Sequence, residues 1–285
     1  MVESMQKHNS CILCKASDFH IVHRKNHWQY LRCRNCSLVS VHPRPTPREV
    51  TKHYEDYLPP QHQEIEQWKS TMRVVIATSA NLVESRTKTG KGRLLDIGCG
   101  YGFFLQEMKS RGWEVEGIEI SEVGREYIRD KWAIQVHSQQ LEDLSLSDNL
   151  FDVVTLFYVI EHLLDPLAIL REVHRVLKPG GLVLLRWPHS TPIVKILGPL
   201  SKKLDLYHAP YHLYDFSPNT IKSLLSLVGF EDVGTLIGGH TLPAQRSERW
   251  PSIIFGQLGE AIYRLSGGNI LLPGISKTTL AIKPG

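Results

Sequence analysis

Beyond residue 92 the chain alternates between short apolar runs and longer stretches in which apolar side chains recur every three or four positions. The runs 93–97, 114–119, 135–137, 151–157 and 181–187 have strand length, and 278–282 supplies a last one. Between them, 103–111, 121–131 and 166–177 carry helical spacing, and 217–228 adds a further helix closed by Gly229. Asp165 before Pro166 is an N-cap with a first-turn proline, and Lys178-Pro179-Gly180-Gly181 reads as a stop and a turn. Elements taking turns in this way predict an α/β chain whose strands form one doubly wound, mostly parallel sheet. Upstream, Thr46, Pro47 and Glu49 make a capping box that starts a helix over 48–54, and 64–86 predicts a second helix. The stretch 250–265 is apolar at Ile253, Ile254, Leu258, Ile262 and Leu265. It predicts an amphipathic helix for a core or a dimer surface, and its sparse basic residues argue against a membrane anchor.

The beginning of the chain follows another pattern. Cys11-x-x-Cys14 and Cys33-x-x-Cys36, eighteen residues apart, hold four of the five cysteines, and the alternating run 27–32 supplies a returning strand. With no signal-peptide pattern and no apolar run of about 18 residues, the expected compartment is the reducing cytoplasm, where clustered thiols bind metal. The spacing matches a zinc ribbon. Four thiolates close a tetrahedral shell, so Cys11, Cys14, Cys33 and Cys36 are expected to hold a structural Zn2+. Arg24, Lys25, Arg32 and Arg34, interleaved with His27, Trp28 and Tyr30, suit either RNA or a solvated face. The proline-rich stretch 43–47 then acts as a stiff linker. The expected organisation is a zinc-ribbon module over 1–45, a helical linker or lid over 46–90 and a main domain over 91–285. A net charge of +4 neither demands nor excludes nucleic acid, and oligomeric state is not legible.

The chemistry concentrates at Leu94-Leu95-Asp96-Ile97-Gly98-Cys99-Gly100-Tyr101-Gly102. This is a buried strand that ends on a carboxylate and turns through three glycines into a helix, letting the backbone approach a ligand closely. Glu119, at the end of the next strand, can accept hydrogen bonds from both hydroxyls of a ribose. A carboxylate directly before the turn would repel a pyrophosphate but suits a ligand with an ammonium and a sulfonium, which is S-adenosylmethionine. Cys99 has no activating base in view and reads as a small turn residue.

The glycine run resembles motif I of the class I methyltransferases. With 151–162 and the later Ser217-Pro218 segment, the resemblance covers about 90–230 and is closest to the ubiquinone-pathway and sugar or natural-product O-methyltransferase branch. It implies a Rossmann-like sheet of seven strands. It also implies that Asp96 holds the cofactor's amino group, that Gly98 and Gly100 let its methionine part pass, that Glu119 binds the ribose and that Ile120 packs on the adenine. Gln140, where relatives commonly have aspartate, and the Leu141 amide would meet the adenine edge. Phe157 and Tyr158 would line the region near the sulfonium. Tyr54 and Tyr57 fall where similar chains fold over the cofactor. In ubiquinone-pathway relatives an acid three places before the Glu-His pair helps hold a divalent metal. Here that place is Tyr158, so no magnesium dependence is expected.

Methyl transfer to a hydroxyl needs alignment and removal of a proton, and histidine is the natural base. His212, in the loop before the helix at 217, is the first candidate, followed by His162 and His189 at the carboxyl ends of strands. The leading expectation is an O-methyltransferase for a sugar, lipid or secondary metabolite. An RNA methyltransferase that presents its substrate through the ribbon is the alternative, and a non-catalytic binding module is a third.

Overall fold

In the computed structural model, residues 10–55, 57–87, 90–198, 206–243, 245–272 and 275–285 are described. Residues 1–9 of the expected ribbon module and 199–205 of the stretch before the helix at 217 lie outside them. In chain order come β1 (Phe19–Lys25), β2 (Trp28–Cys33), β3 (Val39–His42), α1 (Pro47–Glu55), α2 (His62–Arg86), β4 (Arg93–Ile97), α3 (Phe103–Ser110), β5 (Glu114–Ile118), α4 (Glu122–Trp132) and β6 (Gln135–His137). Then follow β7 (Phe151–Phe157), α5 (Pro166–Val176), β8 (Leu177–Trp187), α6 (Thr191–Leu197), β9 (Tyr214–Asp215), α7 (Pro218–Val228), β10 (Glu231–Leu236), α8 (Arg246–Leu265) and β11 (Lys277–Ile282).

The large sheet has the order β10-β11-β8-β7-β4-β5-β6. Strands β6, β5, β4, β7 and β8 run parallel, and β11 is antiparallel to both β8 and β10. The chain winds outward from β4 through β5 to β6, then returns to β7 on the other side of β4. That reversal opens a crevice at the carboxyl ends of β4 and β7, where ligands of doubly wound sheets bind. The central strands are apolar on both faces, with Leu94, Leu95, Val153, Val154 and 182–185 all buried, as helices on both sides of a parallel sheet require. Two buried polar residues, Asp96 and Thr155, face each other across the β4–β7 ladder at its open end.

Local chemistry sets the helix starts. Thr46 and Glu49 cap α1 reciprocally, with Thr46 N donating to Glu49 Oε2 at 2.7 Å and Glu49 N to Thr46 Oγ1 at 3.3 Å. Asp165 Oδ1 accepts from the amides of Leu167 and Ala168, both at 3.0 Å, and Ser217 and Thr220 form the capping box of α7. The stop expected at 178–181 takes the form of a bulge. Phe151 pairs with Leu177 and Val153 with Leu182, so four residues of β8 stand opposite Asp152.

The second sheet is antiparallel, in the order β1-β2-β3-β9. Its fourth strand does not come from the N-terminal segment. Val39 pairs with Asp215 and Ser40 with Tyr214, so the cysteine-bearing hairpins continue into the main fold. Among the described residues, no helix is long and apolar enough to cross a membrane.

Candidate active site

The turn after β4 is held open from both sides. Gly98, Gly100 and Gly102 have φ of +68°, +57° and +70°, the left-handed region that only glycine enters without strain. A side chain on Gly98 would also meet Val159 Cγ2 at 2.5 Å. Glu119 closes the turn from β5, its Oε2 accepting from Gly100 N and its Oε1 from Ser121 N, both at 2.8 Å. Each oxygen keeps a free lone pair for a ligand hydroxyl. Beneath the turn, Thr155 Oγ1 donates to Asp96 Oδ1 at 2.7 Å. Burial pushes the Asp96 carboxyl up to about 8, with the Thr155 hydrogen bond opposing and the Glu119 charge adding to the rise. Burial also raises Glu119, against the pull of the Ser121 and Gly100 amides. Cys99 is half-buried in the turn, and its desolvation raises the thiol well above the usual range, which makes it a poor nucleophile.

These groups open into a cavity of about 940 Å³, lined also by Ile120, Gln140, Leu141, Phe157 and Tyr158. The structure therefore brings together all nine residues singled out for the cofactor. Its outer wall is the segment between the two sheets: Tyr54, Tyr57, Leu58 and Pro59, then Trp68, Met72 and Ile76 from one face of α2. The Tyr101 hydroxyl donates to the Pro59 carbonyl at 2.5 Å and ties this wall to the glycine turn. The α2 contribution went unread, although Trp68, Met72 and Ile76 recur every fourth position, as one helix face does. Six acids line the cavity, namely Glu64, Asp96, Glu119, Glu142, Glu161 and Asp165, and no lysine or arginine does so among the described residues.

Beyond Phe157 the cavity ends in Glu161, His162 and His212. Glu161 is fully buried and neither carboxyl oxygen has a hydrogen-bond partner among the described residues. Burial pushes it up to about 8, helped by the Asp215 charge. Only its place beside His162 hinted at this role. The His162 Nδ1 lies 2.9 Å from the Tyr211 carbonyl and 2.5 Å from the Tyr54 hydroxyl. A carbonyl only accepts, so Nδ1 carries the hydrogen and Nε2 keeps the lone pair, a tautomer assigned from this bonding. The His212 ring meets the His162 ring edge-on at 4.7 Å. Burial lowers His162 to about 4 and His212 to about 2, which leaves both neutral. One nitrogen from each and one Glu161 oxygen lie within 4.8 Å of one another. A single carboxylate is a thin donor set for Mg2+, which prefers oxygen ligands. His189 does not line the cavity. Its ring packs 5.8 Å from Trp187, and burial lowers it to about 4.

Tyr158 adopts φ +57° and its hydroxyl accepts from Arg186 Nε at 3.0 Å. Arg186 is buried and spends its other donors on the carbonyls of Ile237, Gly238 and Gly239 and on Thr278 Oγ1. It anchors Tyr158 without entering the cavity.

The four N-terminal cysteines converge as well. Cys11 Sγ and Cys36 Sγ lie 3.5 Å apart, as do those of Cys14 and Cys33, and all four fall within 4.8 Å of one another. Tetrahedral Zn–S bonds of about 2.3 Å would separate the sulfurs by roughly 3.8 Å, so the set fits zinc. Cys11 with Cys14, and Cys33 with Cys36, each sit on a tight turn closed by a backbone bond, Lys15 N to the Cys11 carbonyl and Ser37 N to the Cys33 carbonyl.

Comparison with known proteins agrees with this geometry. A family described as a methyltransferase domain matches residues 61–235. A ubiquinone biosynthesis O-methyltransferase of Pseudomonas aeruginosa (strain LESB58) is 30% identical over 143 residues, 48% of this chain and 61% of the relative. The match thus spans less than two thirds of that relative's length. Among solved structures, a SAM-dependent methyltransferase from Archaeoglobus fulgidus aligns with a TM-score of 0.53 and 24% identity, over 78% of this chain and 100% of its own. A phosphoethanolamine N-methyltransferase of Haemonchus contortus, solved with S-adenosyl-L-methionine, aligns with a TM-score of 0.50 and 20% identity, over 73% of this chain and 52% of its own. These two likenesses establish the fold.

Proposed function

We propose that this chain, which belongs to the methyltransferase domain family, transfers a methyl group from S-adenosylmethionine to a hydroxyl of a small, uncharged acceptor. The observation that carries the reading is the continuity of one cavity from Asp96 and Glu119 to His162 and His212, with acids but no lysine or arginine along it among the described residues. Such a wall has no counter-ion for a phosphate or a carboxylate. It favours neutral, partly apolar acceptors over nucleotides. The similarity to ubiquinone biosynthesis O-methyltransferases supports oxygen as the methylated atom.

Bound S-adenosylmethionine supplies a methyl group on a positively charged sulfur. Asp96 would hold its ammonium, Glu119 its ribose, and Ile120 with Leu141 its adenine. Phe157, Tyr158 and the aromatic lid would exclude water from the sulfonium, with Tyr54 and Tyr57 offering cation–π contact. Between the two histidines, the bonding favours His162 as base, because Nδ1 is tied to Tyr211 and its lone pair is on Nε2, beside Glu161 Oε1 at 3.8 Å. It would take the hydroxyl proton as the acceptor oxygen bonds to the methyl carbon and the methyl–sulfur bond breaks, its electron pair staying on the sulfur of the departing S-adenosylhomocysteine. His212 would then orient its ring. Zinc in the four-cysteine ribbon would be structural, and magnesium would not be required.

The test is methyl transfer from labelled donor to matched hydroxyl compounds, each with and without a phosphate. The reading expects product from the neutral members, and His162→Gln should lower turnover by about 10²–10⁴-fold. Methylation of RNA instead, falling steeply with added salt and lost in an Arg32→Ala, Arg34→Ala double variant, would overturn it.

A further inference from the structure

We propose that the cysteine ribbon is a positioning module for the acceptor side of the cleft, and that Tyr30 transmits its fold to the loop carrying Tyr211 and His212. This rests on the proposed reading of that cleft as the methyl-transfer site.

Tyr30 lies on β2, three residues before Cys33, and is fully buried. Its ring stacks on Tyr207 at 4.3 Å and 17°. Its hydroxyl proton is shared between the carbonyls of Tyr207 at 2.8 Å and His212 at 2.9 Å. Loop 207–213 is thus gripped at both ends by one ribbon side chain. The backbone adds to the grip. Val41 N donates to the Leu213 carbonyl at 2.9 Å, and β3 pairs with β9 immediately beyond. On its other side the loop meets the site, with Leu213 N donating to the Glu161 carbonyl and the Tyr211 carbonyl facing His162 Nδ1.

Its other side-chain contacts come from α6 and α1: Tyr207 shares a hydrogen bond with Thr191 at 2.9 Å, and Tyr211 stacks on His53 at 3.4 Å. A hairpin pair of some thirty residues cannot build a core of its own: its buried side chains join the core of the main fold, and the metal would order its two cysteine turns. Loss of the metal removes the rigid partner of Tyr30 and Val41, and with it the frame that sets the tautomer of His162. Tyr30 also cannot serve as a stacking platform for an RNA base, since its ring is already inside the molecule.

Hydrogen exchange on the full-length chain, read by mass spectrometry, tests this without knowing the acceptor. Tyr30→Phe keeps the ring and the cysteines and removes only the hydroxyl. It should speed exchange of the amides in 207–213 by about tenfold or more, leave those of 93–97 and 151–157 unchanged, and keep one bound zinc per chain. Chelating the zinc from the wild type should expose both the ribbon and the same loop. Affinity for S-adenosylhomocysteine should stay within about twofold in both cases, because the donor side lies on other strands. If chelation opens the ribbon while 207–213 stays protected, the proposal fails. Unchanged loop exchange in Tyr30→Phe would remove Tyr30 as the link. General loss of protection in both would make the ribbon a global stabiliser and overturn a positioning role. Failure of the wild type to bind S-adenosylhomocysteine would sink the proposed function, and the exchange result would still decide this inference.

Discussion

Asp96 should make cofactor binding depend on pH. In the free protein its carboxyl titrates at about 8, held up by burial. Such a group is about nine-tenths protonated at pH 7 and needs to ionise to accept an ammonium, at a cost of about 1.4 kcal/mol for each pH unit below 8. Affinity for S-adenosylhomocysteine should therefore rise about tenfold between about pH 6 and pH 7. Titration calorimetry at about pH 7, in two buffers of different ionisation enthalpy, should report close to one proton released per ligand bound. Glu119 is raised too and adds in the same direction. Asp96→Asn should remove most of the slope, leaving only the part due to Glu119, and weaken binding by about 1.5–3 kcal/mol, the value of a charge-assisted hydrogen bond. Equal affinity at both pH values in the wild type, with no buffer-dependent heat, would refute the claim that this carboxyl clasps the ligand's amine.

Other changes have defined outcomes. Glu119→Gln loses a charged acceptor and turns an amide NH2 toward the amides of Gly100 or Ser121. It should cost about 2–3 kcal/mol, or roughly 30–150-fold in S-adenosylhomocysteine affinity, and an unchanged affinity would remove Glu119 from the site. A methyl group at Gly117 would stand 2.7 Å from Cys99 Sγ and 2.8 Å from Leu105 Cδ1. Gly117→Ala should thus cost about 1–3 kcal/mol by denaturant unfolding, and a neutral result would contradict the packing beneath the turn. Because burial holds His162 at about 4 and His212 at about 2, their neutrality supports the fold fully above about pH 6.5, and that support is lost as pH falls. Removing one site with His162→Gln should flatten the acid side of the stability curve; an unaltered slope would mean that this histidine is already charged.

Legibility followed sequence distance. The capping box at Thr46 and Glu49, the Asp165 cap and the strand-to-glycine turn at Asp96 each lie within a few residues, and the structure has them where the pattern placed them. Strand β10, Glu-Asp-Val-Gly-Thr-Leu, carries no clean alternation and went unread, because its order comes from pairing with β11. The union of β3 with β9 joins residues some 175 positions apart over a two-residue strand, too short for any period to register. The ribbon's aromatic content was visible, but whether Tyr30 faced solvent or the loop depended on that union. Among the three histidine candidates, spacing alone could not separate His189, which lies outside the cavity although its neighbour Pro188 lines it, from His162 and His212.

A crystal structure with S-adenosylhomocysteine bears most directly on the two-acid clasp. The expected density puts the amine at hydrogen-bonding distance from Asp96, both ribose hydroxyls against Glu119, and the sulfur facing Tyr158 and His162. Ligand bound elsewhere, or in this cleft with Asp96 and Glu119 engaged only by their own backbone neighbours, would contradict the account.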